Sequence, residues 1–117
     1  MSEEAIDVKE VLERVQDDKA LLLELLDIFE DDYEEKRKAI DQLVINKNLE
    51  QLKSIAHSMK GASGNISAKK LHTVFAKLEQ MAKESNLTNI TQLLADLDKQ
   101  YSEVKTYMAK LKVDFKQ

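Results

Sequence analysis

The 117-residue sequence contains no proline, no cysteine and only two glycines. Sheets and barrels depend on tight turns, where glycine and proline are favoured, so their scarcity favours long helices joined by short polar loops. Without cysteine the chain can form neither a disulfide nor a thiolate zinc site, and it has no cysteine nucleophile. The composition therefore predicts an all-α protein.

Long hydrophobic runs and an excess of basic residues are also missing. No segment approaches the roughly 18 apolar residues of a transmembrane helix, and no secretory signal is visible at the N-terminus. The net charge is −4, and no basic stripe is present that could neutralise the phosphates of a nucleic acid. We therefore expect a cytoplasmic monomer that binds neither membranes nor nucleic acid.

The hydrophobic pattern divides the chain into one short and four long amphipathic helices, which we expect to form a single domain over residues 1–117. Asp7 is placed to cap the first helix, Asp17 and Asp18 to open the second, and Ser67 and Thr88 to cap the last two. Four long helices with short connections fold most simply as an antiparallel up-down four-helix bundle, with the short N-terminal helix across one end. The polar breaks between the long helices are at 46–48, 65–67 and 86–88.

Both glycines lie inside the third predicted helix, where glycine costs about 1 kcal/mol relative to alanine. At about 100° per residue, Gly61 and Gly64 share a face with His57, Lys53 and Lys60. The glycines should leave bare backbone beside an exposed imidazole, so that another protein surface can approach. The opposite face carries the apolar stripe Leu52, Ile55, Met59, Ala62 and Ile66.

The segment His57-Ser-Met-Lys-Gly-Ala-Ser-Gly64, with Leu71 and the pair Leu78-Glu79, resembles the histidine-containing phosphotransfer (HPt) domain of two-component phosphorelays. The match runs residue by residue from His57 to Glu79 and extends to the rest of the chain in its layout of helices. Ser67 replaces a glycine that is usual in the family, and we expect a slightly different turn there without loss of activity.

The resemblance implies that His57 accepts a phosphoryl group from the aspartyl phosphate of one receiver domain and passes it to another receiver. Lys60 would supply positive charge to the phosphoryl oxygens, and Glu79 would hydrogen-bond the other imidazole nitrogen. The Mg²⁺ ion would belong to the receiver, so we expect no metal site and no cofactor in this chain. It would be a phosphoryl carrier and not an enzyme with its own nucleotide site.

Receiver domains and a hybrid histidine kinase are the partners that the resemblance implies. We expect them to dock on the His57 face, at Lys53, Gly61 and Gly64, and on the second helix. That helix has more apolar residues than one stripe needs, and Leu25 and Phe29 are expected to be partly exposed. His72, in the fourth helix, is expected to be an ordinary surface residue.

Two other functions fit the same residues. The chain could be the phosphoacceptor domain of a chemotaxis-type histidine kinase, which takes its phosphoryl group from ATP through a separate catalytic domain. Alternatively, it could be a helical adaptor that is never phosphorylated, although an adaptor needs neither His57 nor Lys60.

Overall fold

The computed structural model describes residues 4–115, and within that range it contains five α-helices and no strand. The prediction of an all-α protein is therefore confirmed for the described part of the chain. The helices are α1 (Val8–Arg14), α2 (Lys19–Ile45), α3 (Leu49–Asn65), α4 (Lys69–Lys83) and α5 (Ile90–Phe115).

Polar side chains determine where the first three helices begin. Asp7 accepts a hydrogen bond from the Glu10 N–H at 3.1 Å, and Asp18 accepts one from the Leu21 N–H at 3.0 Å. Asn48 caps α3 in the same way, over 3.3 Å. Each bond satisfies an N–H that has no partner inside the helix, so these starting points follow from local chemistry.

The predicted caps of α4 and α5 were wrong. Ala68, and not Ser67, is the N-cap of α4, and it makes no side-chain capping bond. Ser67 instead has a φ of 58°, in the left-handed region that glycine adopts most easily, and its hydroxyl donates to Glu10 at 2.7 Å. Thr88 precedes α5, which begins at Ile90, and donates to Asn86 from its backbone N–H and its hydroxyl.

The four long helices enclose a common apolar core. Helix α2 contacts α3 and α5, and α4 contacts the same two helices. Each contributes one buried stripe, and in α3 this stripe includes Leu52, Ala56 and Met59, which are fully buried. Within the described residues, no helix combines the length and apolar content needed to cross a bilayer.

Helix α1 is attached where α3 ends and α4 begins. Ile6 and Val11 are fully buried in the core. Arg14 donates to the backbone carbonyls of Gly64 and Asn65 at the C-terminal end of α3, over 2.6 and 2.9 Å, and the Gly64 carbonyl also accepts from the Ser67 N–H at 3.0 Å. This attachment fastens the end of the helix that carries His57.

Candidate functional site

His57 projects from the middle of α3, and its side chain is 70% exposed. The residues on the opposite side of the helix, Leu52, Ala56 and Met59, are fully buried and hold α3 against the core. The imidazole is therefore presented on a rigid helix and remains open to a partner molecule.

Glu79 on α4 binds one nitrogen of this ring, with its Oε2 2.8 Å from His57 Nδ1. The hydrogen bond from Lys60, and then that from His57, hold the pKa of Glu79 below its usual value, although desolvation acts in the opposite direction. The ionised carboxylate can only accept, so Nδ1 must carry the hydrogen. In the neutral ring, Nε2 then has the free lone pair of a nucleophile.

Lys60 shares the same carboxylate. Its Nζ lies 2.6 Å from Oε1 of Glu79, and its side chain is only 29% exposed. The ion pair draws the Lys60 ammonium toward α4, so Lys60 is less exposed than His57 on the same face of α3. One carboxylate thus holds an imidazole and an ammonium that lie one helical turn apart on α3.

The two glycines have different surroundings. Gly61 is exposed, and a Cβ at this position would have no neighbour within 4 Å, so the backbone is bare as expected. A Cβ at Gly64 would lie 3.3 Å from His72 Nδ1. The space beside Gly64 is therefore partly filled by a residue of this chain, and its backbone is half-exposed instead of bare as expected.

His72 is the residue of this region that sequence reasoning missed. It is half-buried, and its Nδ1 lies 2.8 Å from the backbone carbonyl oxygen of Lys60. The expectation of an ordinary surface residue was wrong, because the helical angle of His72 on α4 does not reveal how closely α3 packs. The sequence did contain one signal for this contact. Gly64 is a glycine inside a helix, and His72 follows it by eight residues, across one short turn.

A shallow groove of about 150 Å³ lies between α2 and α3, beside the His57 face. Leu25 is half-buried at its wall, but Phe29 is only 4% exposed, so the expectation that Phe29 is partly exposed was wrong. Ile28, which is 64% exposed, supplies the accessible apolar surface instead. Lys53 is exposed one turn before His57. The groove is lined by Leu25, Ile28, Phe29, Asp32, Ala62, Asn65 and Ile66.

No cluster of metal-ligating side chains is found among the residues that the structure describes. Among residues 4–115, no three His, Cys, Asp or Glu side chains are close enough together to hold a metal ion. The ionisable groups that meet at the site are the imidazole, the carboxylate and the ammonium described above.

A family model described as the Hpt domain matches residues 24–107, well over half of the chain. The chain therefore belongs to the Hpt family, whose function is histidine phosphotransfer in two-component phosphorelays.

A solved structure supports the fold. The chain is 24% identical to histidine-containing phosphotransfer protein B (HptB) from Pseudomonas aeruginosa PAO1, with a TM-score of 0.77. The match covers 99% of this chain and 95% of that chain, so the two proteins share their fold along almost their whole length. No curated protein sequence matched this chain significantly.

Proposed function

We propose that His57 is the phosphoacceptor, and that it carries a phosphoryl group from the aspartate of one receiver domain to the aspartate of another. The observation that carries this proposal is the pairing of His57 Nδ1 with Glu79 at 2.8 Å on a side chain that is 70% exposed. Of the two ring nitrogens, Nε2 is then the one with a lone pair available to a partner.

In the proposed reaction, the Nε2 lone pair attacks phosphorus while the bond from phosphorus to the aspartate oxygen breaks. The aspartate leaves as a carboxylate, and the ring becomes a phosphoimidazolium whose positive charge faces the Glu79 carboxylate. Donation to the second receiver reverses these steps. Because phosphoryl transfer depends mainly on positioning and charge compensation, the chain needs no further acid or base.

Lys60 is proposed to supply that charge compensation. An ammonium has three donors, so Lys60 can keep its contact with Glu79 and also donate to a phosphoryl oxygen on the ring. Lys53 would assist weakly from the preceding turn. Magnesium would be bound by the receiver, and this chain would need no cofactor and no nucleotide site.

The docking surface is proposed to run from the bare backbone at Gly61 to the groove beside it. Ile28 and Leu25 offer apolar surface there, and Lys53 offers positive charge to an acidic receiver site. A hybrid histidine kinase would carry one of the receivers. Gly64 would contribute less than Gly61 because His72 covers it.

We also infer the arrangement of the whole domain. The short connections between helices that contact each other favour an antiparallel four-helix bundle over α2 to α5, within one domain that spans residues 1–117. A monomer in the cytoplasm remains the prediction from the sequence.

Transfer from a radiolabelled, phosphorylated receiver tests this function. The wild-type protein should acquire an acid-labile, base-stable label, and His57→Gln should remove it. Since the sequence contains only two histidines, label that persists in His57→Gln would place the acceptor at His72 and contradict the proposal. Binding of the receiver without any labelling would identify an adaptor, and labelling only by a kinase domain with ATP would identify a chemotaxis-type acceptor domain.

A further inference from the structure

The second histidine of the chain forms a contact between two helices. His72 lies on α4 and is half-buried, and its Nδ1 approaches the Lys60 carbonyl oxygen of α3 at 2.8 Å. A carbonyl can only accept, so Nδ1 of His72 must be the protonated nitrogen. The same carbonyl oxygen has two lone pairs and can also accept the ordinary helical bond from four residues further on.

Gly64 makes this contact sterically possible. A Cβ on Gly64 would lie 3.3 Å from Nδ1 and 3.8 Å from Cε1 of His72, so the ring fills the space that a side chain would take. Glycine weakens a helix interior, and its presence at this point is explained by the close approach of the imidazole. The ring and the glycine therefore behave as one packing unit.

This unit is connected to the reactive ring through Lys60. His72 holds the backbone of Lys60, whose Nζ lies 2.6 Å from Glu79 Oε1. Glu79 in turn contacts His57 Nδ1 at 2.8 Å. His72 and Glu79 are seven residues apart on the same face of α4, about 10 Å along the helix, so they bind α3 at two separated points.

We propose that His72 is a positioning residue for phosphotransfer: by fixing the Lys60 backbone against α4, it places the Lys60 ammonium beside Glu79 and His57. The inference rests on the proposed role of His57 and Lys60. It gives Gly64 an intramolecular purpose, which is to admit the His72 ring.

Two substitutions separate the hydrogen bond from the bulk of the ring. His72→Asn keeps a donor near the position of Nδ1, whereas His72→Leu keeps a side chain of similar size without the donor. With saturating phosphorylated receiver, His72→Leu should lower the maximal transfer rate about three- to tenfold, the effect of one lost hydrogen bond, and His72→Asn should restore most of it. The receiver concentration that gives half-maximal rate should stay unchanged.

A double-mutant cycle identifies the route of the effect. If His72 acts through Lys60, His72→Leu should cause no further loss of rate in the Lys60→Ala background. A merely structural role predicts instead the same loss in both backgrounds, together with a lower melting temperature that Asn does not repair. The proposal would be overturned if His72→Leu transferred at the wild-type rate. It would also be overturned if His72→Leu lowered the rate as much in the Lys60→Ala background as in the wild-type background.

The contact can also be measured without any transfer reaction. In a ¹H–¹⁵N imidazole spectrum of the wild-type protein, His72 should be the tautomer with hydrogen on Nδ1, and its ring should couple to the Lys60 carbonyl. Hydrogen on Nε2 alone would overturn the positioning role. If no receiver labels even the wild-type protein, the proposed function fails, while this spectrum still judges the His72 contact by itself.

Discussion

At the scale of single residues, one carboxylate organises the site. Glu79 fixes the tautomer of His57 with one oxygen and binds Lys60 with the other. This sharing has two consequences that can be measured separately. Lys60 should matter for the reaction more than for folding, and the ionisation of Glu79 should contribute to stability.

Lys60→Ala should slow transfer about ten- to a hundredfold, because a charge next to the developing phosphoryl anion is lost. The same change should alter the free energy of unfolding by less than about 1 kcal/mol, as expected for a partly exposed ion pair. Single-turnover transfer from a receiver and urea unfolding measure the two effects.

Lys53→Ala provides the matched control for Lys60→Ala. Lys53 lies on the same face of α3, one turn before His57, but it is exposed. Its removal should slow transfer less than the removal of Lys60. Equal losses, or a drop in stability large enough to explain the slower rate of Lys60→Ala, would contradict the proposed role.

The ionisation of Glu79 should make stability depend on pH in the acid range. Lys60 and His57 hold the pKa of Glu79 below its usual value of 4.5 in the folded protein. The unfolded chain therefore binds this proton more readily, so the stabilisation is present above pH 4.5 and is lost as the pH falls through the folded-state pKa.

Urea unfolding in the His57→Gln background tests this dependence with Lys60 as the remaining partner of the Glu79 carboxylate. The stability difference between proteins with Glu79 and with Glu79→Gln should be constant near neutral pH and should shrink below about pH 4.5. A stability difference that does not change with pH would show that the pKa of Glu79 is the same in the folded and unfolded protein, so that its neighbours do not lower it.

At the scale of secondary-structure elements, α3 packs one face against the core and leaves the backbone at Gly61 exposed on the other. Gly61 is the position to test, because a side chain there meets nothing in this chain. Gly61→Ala and Gly61→Gln should both stabilise the helix, by up to about 1 kcal/mol. Only the glutamine is bulky enough to obstruct a receiver, so it should weaken receiver binding much more than the alanine does.

Calorimetric titration with a receiver and thermal melting measure these effects. If Gly61→Gln binds the receiver as tightly as Gly61→Ala, the bare backbone is not clearance for a partner. Gly64→Gln cannot serve for this test, because its side chain would also displace His72.

Helix α1 acts on the site by holding the end of α3. Arg14 donates to two carbonyls there, and Arg14→Ala should cost about 1–2 kcal/mol of unfolding free energy, since each carbonyl loses a hydrogen bond from a charged donor. Lys9→Ala, on the exposed side of the same helix, is the control and should change stability by less than about 0.5 kcal/mol. Chemical unfolding of both variants measures these changes, and equal effects would show that Arg14 does not stabilise the attachment of α1 to α3.

At the scale of the whole molecule, we expect a monomer of 13.4 kDa with a compact, elongated shape. The Cα radius of gyration is 14.7 Å, and the molecule extends 46 × 29 × 19 Å. Sedimentation equilibrium should give this mass. Small-angle scattering should give this radius of gyration, slightly enlarged by hydration. A mass twice as large at micromolar concentration would show that the His57 face, or another surface, pairs with a second copy.

The features that depend only on neighbouring residues could be predicted from the sequence. Helical periodicity separated five helices, and Asp7 and Asp18 marked the start of two of them because a capping bond reaches only three residues along the chain. His57, Lys60 and Gly61 could be placed on one helix face because residues three and four apart are neighbours on the surface of a helix.

The remaining features could not be predicted in this way, because they depend on which faces of two helices meet. The left-handed conformation of Ser67 and its bond to Glu10 require α1 to lie beside the turn before α4. The burial of Phe29 and the exposure of Ile28 depend on the rotation of α2 against its neighbours. The approach of His72 to Lys60 needs the close packing of α3 and α4, a distance that no pattern along a single helix contains.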